Sequence, residues 1–155
     1  ALSNGLPSAD FDSLIAQEAF CHVPNKPGLL AECVRVLKPG GLIAFTDILE
    51  NAGMTATVRE RLRQEMAFTE LNTLDNYRVL LEANNCEVKE AKDLSKEWTQ
   101  ILVKRLAMYR GLKDQTVASF GRSHFEKWDR TYSFFVALYG SGELGGGRFL
   151  AHKCG

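Results

Sequence analysis

An α/β fold built on an open sheet is the architecture this sequence predicts, and three observations carry the prediction. A short apolar run, Phe11 to Ala16, is followed by a helical stripe and then by a second apolar run, Leu42 to Phe45. The second run has no polar alternation, as expected of a strand covered on both faces. Strand-like and helix-like apolar patterns then alternate to the end, in the order β-α-β-α-α-β-α-α-β.

The first strand, Phe11 to Ala16, follows a stretch rich in Gly, Pro and Ser and ends at Gln17-Glu18. Pro27 suits the first turn of a helix, and Leu29, Leu30, Cys33, Val34 and Leu37 fall on one helical face. Lys38 precedes a proline, which disfavours the helical region, and Pro39-Gly40-Gly41 supplies a rigid bend. The helix stops there, and Leu42 to Phe45 begin the second strand.

Val58, Leu62 and Met66 are spaced for a helix, as are Leu74, Tyr77 and Leu81, with Thr73 as N-cap and Asn84-Asn85 as a left-handed stop. Cys86 to Ala91 reads as a strand. Ser95 is placed to cap a helix carrying Trp98, Leu102, Leu106 and Tyr109, which ends near Gly111. Ser123 to Glu126 fits a capping box for a further helix, displaying Phe125, Trp128, Tyr132 and Phe135 and ending at Gly140. Gly140 to Gly147 is expected as a turn with a substrate-lid role, and Arg148 to Lys153 as the last strand.

The 155 residues, 45% of them hydrophobic, are enough to bury one core, so residues 1–155 are expected to form a single domain. Lys plus Arg and Asp plus Glu are balanced at 19 each, so no net field draws the chain to nucleic acid or to an anionic membrane. Cys21, Cys33, Cys86 and Cys154 lack the paired spacing of zinc ligands and are expected reduced and mostly buried, with no metal. No apolar run approaches the roughly 20 residues that span a bilayer, and cytoplasm is the expected compartment.

In an open α/β sheet, ligands gather beyond the carboxyl ends of the strands. That rule selects Gln17 to His22 and Thr46 to Glu50. Lys38 with its glycines is no phosphate loop, because the order is helix, turn, strand. Trp98, Tyr109, Trp128, Tyr132 and Phe135 are candidates for an aromatic cage around a methylated ammonium, although helical spacing favours the core.

Phe11-Asp12, the run Gln17-Glu18-Ala19-Phe20-Cys21-His22-Val23 and the run Glu32 to Gly41 together resemble the middle of a class I S-adenosylmethionine-dependent methyltransferase. Within that class, Gln17 to His22 and Gly145 to Phe149 are most similar to the sarcosine/dimethylglycine N-methyltransferase-like group. The resemblance implies a Rossmann-like fold of which this chain is the second half: four strands with helical elaboration. The chain would then be the C-terminal portion of a methyltransferase domain, lacking the N-terminal cofactor-binding strands with their glycine-rich loop and ribose-gripping acid.

The resemblance further implies S-adenosylmethionine as cofactor, with S-adenosylhomocysteine as product, contacted by Gln17, Glu18, Ala19 and His22. His22 and Asp47 are its catalytic candidates, one to take a substrate proton, the other to meet an ammonium or hold His22. The acceptor it implies is a small molecule, an amine such as a glycine derivative. A non-catalytic remnant serving as a folding or dimerisation module is the alternative. An unpaired edge at Phe11 to Ala16 would need cover, from a second copy or from a missing N-terminal segment.

Overall fold

The structure, a computed structural model, describes residues 2–155. The α/β expectation holds: one four-stranded sheet in the order β1-β2-β4-β3, with helices on both sides. β1 (Phe11–Gln17) runs parallel to β2 (Leu37–Glu50), and β4 (Leu144–Lys153) is antiparallel to both β2 and β3 (Cys86–Asp93). α1 (Lys26–Val36) connects the parallel pair; Asn25, left-handed at φ +60°, caps it by accepting from the Gly28 N–H at 3.1 Å.

Pro39-Gly40-Gly41 does not separate helix from strand as expected. It lies inside β2 as an irregularity: pairing slips from Phe11 with Leu37 to Ser13 with Leu42. Gly40 takes φ +78°, and a Cβ on Gly41 would stand 2.8 Å from the Lys38 carbonyl oxygen. The glycines therefore let the strand kink without losing its partner.

Two cores flank the sheet. Phe45, Leu49 and Phe149 pack with Leu30 of α1 and with Tyr77 and Leu81 of α3 (Leu74–Ala83). On the other side Ile48 joins Leu62 of α2 (Ala56–Met66), Leu102 and Leu106 of α4 (Ser95–Gly111), and Phe135 and Tyr139 of α6 (Arg122–Ser141). Alternation along β2 assigns odd positions from Ile43 to Leu49 to the first core and Ile48 to the second.

Several helix ends differ from expectation. Residues 113–120 form an additional helix, α5 (Lys113–Phe120). Ser123 does not build its capping box, because α6 already begins at Arg122 behind Gly121 and has no side-chain cap. Ser95 is not a cap but the first residue of α4; its hydroxyl instead accepts from the Gly146 N–H at 3.2 Å. β4 begins at Leu144, so Gly145 to Gly147 are strand rather than turn.

Thr73 does cap α3, its hydroxyl accepting from the Asn76 N–H at 3.1 Å, and Asn85 is left-handed at φ +59°. Thr73→Ala should cost about 1 kcal/mol, read as a shifted urea midpoint at unchanged slope. Cys21, Cys33 and Cys86 are buried and Cys154 is exposed, all as free thiols. Among the described residues no helix is long and apolar enough to cross a membrane.

Candidate functional site

β1 ends by forcing its chain into a turn. Glu18 takes φ +42°, a conformation that costs a non-glycine residue about 1–3 kcal/mol unless its surroundings fix it. Two bonds to β2 fix it here: the Glu18 N–H donates to the Thr46 carbonyl at 2.9 Å, and the Thr46 hydroxyl donates to Glu18 Oε1 at 2.6 Å. Ala19 then leads into a single 3-10 turn, Phe20–His22.

That turn is anchored from below. The Cys21 N–H donates to Asp47 Oδ1 at 3.0 Å, and the Tyr77 hydroxyl donates to Asp47 Oδ2 at 2.6 Å. Burial pushes the Asp47 carboxyl above its ordinary value, against the lowering pull of Tyr77, of the Cys21 N–H and of the Lys26 ammonium. Tyr77 is itself pushed up by burial and then by the Asp47 charge, so it remains a hydroxyl donor. Lys26, also buried, donates to the carbonyls of Val23 and Glu70 at 2.6 and 2.5 Å.

His22 sits exposed at the end of the turn, with Nδ1 2.9 Å from the Ala67 carbonyl oxygen and its ring 5.3 Å from Phe68. A carbonyl can only accept, so Nδ1 is the donor in this contact and Nε2 is the ring nitrogen left facing away from it.

A cavity of about 460 Å³ opens beside this turn. Gln17, Glu18 and Thr46 form its polar floor. Trp98, Ile101, Leu102 and Arg105 of α4 form one wall, and Tyr132, Phe135 and Tyr139 of α6 another, closed by Ile48, Met66 and Phe68. The wall residues recur at three and four on each helix, so each wall is one helical face.

Of the expected site residues, Gln17 and Glu18 line the cavity; Ala19 and His22 are exposed on the turn leading away from it. Asp47 does not reach the cleft, although its neighbour Thr46 does. Successive side chains of a strand point to opposite faces, and Asp47 shares the buried face with Phe45 and Leu49. The five aromatics are also divided. Trp98, Tyr132 and Phe135 line the large cavity, whereas Tyr109 and Trp128 meet Tyr132 in a separate pocket of about 230 Å³.

The fold and site define an α/β domain with a cavity beyond the carboxyl ends of two parallel strands. Residues 1–45 match the methyltransferase domain family. A 27-O-demethylrifamycin SV methyltransferase of Amycolatopsis mediterranei is 30% identical over 124 residues, covering 77% of this chain and 45% of that protein. Among solved structures, a Galdieria sulphuraria protein described as a sarcosine dimethylglycine methyltransferase superposes at TM-score 0.86 and 21% identity. That match covers 99% of this chain and 56% of the other. Phosphoethanolamine N-methyltransferase 2 of Haemonchus contortus, solved with phosphomonomethylethanolamine and S-adenosylhomocysteine, superposes at 0.89 and 16% identity, covering 99% and 36%.

The chain therefore has the Rossmann-like class I methyltransferase fold. The resemblance to that class is borne out, and a sarcosine dimethylglycine methyltransferase-like structure is among those that share the fold. The chain spans about half the length, or less, of these relatives.

Proposed function

We propose that this chain is the C-terminal portion of an S-adenosylmethionine-dependent methyltransferase domain acting on a small-molecule acceptor. The observation that carries the reading is the junction of a strained, doubly bonded Glu18 with a ligand-sized cavity at the strand ends. The residues present suit one flank of the cofactor. A sulfonium is cationic, and the Glu18 carboxylate and the rings of Phe68 and Tyr139 border the same cavity.

On this reading Gln17, Glu18, Ala19 and His22 hold the cofactor, which supplies a methyl group already activated by its sulfonium. The chain's own work is alignment and exclusion of water, and alignment of this kind accounts for about 7–11 kcal/mol of a barrier. The acceptor atom is an amine, as the phosphoethanolamine and sarcosine relatives suggest. His22, which stands outside the cavity at the end of the turn, takes its proton through bridging water rather than by direct contact. Asp47 acts as a positioning residue, holding the Cys21 N–H and with it the turn that carries His22.

On this reading the edge of β1, where Ile15 is 80% exposed, pairs with N-terminal strands of the same domain or with a second copy. Calorimetric titration of S-adenosylhomocysteine into the whole gene product tests the reading. One equivalent bound per chain is expected, with a raised melting temperature. No binding at high protein concentration sinks it in favour of a non-catalytic folding or dimerisation module, which sedimentation would show as a dimer.

A further inference from the structure

We infer that the acceptor is an apolar molecule carrying one carboxylate, and that Arg105 is the residue that selects it. This rests on the cavity being the acceptor side of the proposed methyltransferase. The cavity, at about 460 Å³, is ligand-sized, and with its Glu18 end given to the sulfonium the acceptor meets the remaining wall of Trp98, Ile101, Leu102, Arg105 and Tyr132. Beyond the polar floor its wall is aliphatic and aromatic, and an acceptor without apolar surface would leave that wall wet.

Arg105 interrupts the apolar wall. It stands two turns along α4 from Trp98, about 10 Å of helix rise. Trp98 lies against Gly146 of the sheet, and Arg105 lines the cavity from the other end of the same helical face. Arg110, on the same helix, is engaged by Asp129 at 2.6 Å and by Ser133 at 2.8 Å. Arg105 makes no hydrogen bond or ion pair among the described residues. The same is true of the Tyr132 hydroxyl, which shares the cavity; the Tyr139 hydroxyl, by contrast, donates to the Gly145 carbonyl at 2.9 Å.

An unengaged guanidinium beside an unengaged hydroxyl, at the end of an apolar cavity, is complementary to an anionic group. A guanidinium fits a carboxylate through two parallel N–H···O bonds. Arg105 is the only cationic side chain among the lining residues, which matches a single negative charge better than a phosphate dianion. The acceptor so defined separates its nucleophile from its carboxylate by an apolar spacer.

Isothermal titration of the full chain with decanoate, decanol, decylammonium and decyl phosphate tests this. Decanoate should bind at least about tenfold more tightly than decanol, the increment of one charge-assisted pair. Arg105→Gln should bring decanoate down to the affinity of decanol, and Arg105→Lys should restore part of the difference. Arg105 is exposed, so both variants should melt with the wild type, which separates lost recognition from lost folding. Equal affinity for decanoate and decanol, an unchanged Arg105→Gln, or tighter binding of decylammonium or decyl phosphate overturns the proposal. The S-adenosylhomocysteine titration reports separately: Arg105-dependent decanoate binding without cofactor binding leaves the carboxylate site standing and removes methyl transfer.

Discussion

Replacing Asp47 by alanine should destabilise the chain by about 3 kcal/mol. Two buried donors, the Cys21 N–H and the Tyr77 hydroxyl, would lose their acceptor together. A buried donor left unsatisfied costs about 1–3 kcal/mol. Asp47→Asn keeps the shape and one acceptor oxygen and should cost about 1 kcal/mol. Tyr77→Phe leaves Asp47 Oδ2 without its hydroxyl donor, so Asp47→Ala and Tyr77→Phe should be strongly non-additive in a double-mutant cycle.

The same residue sets a pH dependence. Burial holds the folded Asp47 carboxyl above its ordinary value of 3.8, so over that interval the folded state binds the extra proton. Its contribution to stability is fully present below pH 3.8 and is lost as pH rises through the raised folded value. Across that range the Asp47 component lowers the urea midpoint as pH rises, against the gain from Glu32 and Glu60, whose arginine partners hold them below the usual carboxylate range. In Asp47→Asn that opposing component should vanish, leaving a midpoint that climbs more steeply with pH. A slope that survives the substitution unchanged would assign the titration elsewhere.

How Asp47 escaped sequence reading says what such reading can reach. The end of β2 was legible, because an apolar run stopping at polar residues marks a strand end, and ligands collect there. The parity of the strand was not. Thr46 and Asp47 are both short and polar, and only the position of Tyr77 on α3 reveals which face is the cleft and which is sealed. Gln17 and Glu18, which line the cavity, are legible as strand-end residues because β1 has a clear terminus.

Arg105 carried no signal in the sequence, since a cation on an amphipathic helix reads as a solvent-facing residue. It gains meaning only when α6 brings Tyr132 and Phe135 to the same cavity. The capping box at Ser123 failed for a comparable reason: α6 starts at Arg122, directly after Gly121 closes α5, and places Ser123 inside the helix. The cap at Thr73 succeeded because its partner, the Asn76 N–H, is local and needs no tertiary context.

The glycines of β4 follow the same logic and lead to the second large effect. Without side chains, Gly145 to Gly147 present no strand pattern, and by sequence they belong to a turn. In the fold the bareness of Gly145 and Gly146 is what lets α4 lie against the sheet: a Cβ on Gly145 would clash with Ser95 Oγ, and one on Gly146 would fall within the Trp98 indole. Gly146→Ala should therefore cost about 1–3 kcal/mol by overpacking and push Trp98 into the cavity, weakening decanoate binding at the same time. Gly140→Ala is the control. Gly140 lies in α6 with nothing within 4 Å of an added Cβ, so alanine there should gain about 0.5–1 kcal/mol. Trp98→Ala in the Gly146→Ala background should recover part of the overpacking cost, because the clash loses one partner. If Gly146→Ala melts with the wild type, or if Trp98→Ala adds its full cost to it, the close approach of α4 to β4 does not set the width of the cavity.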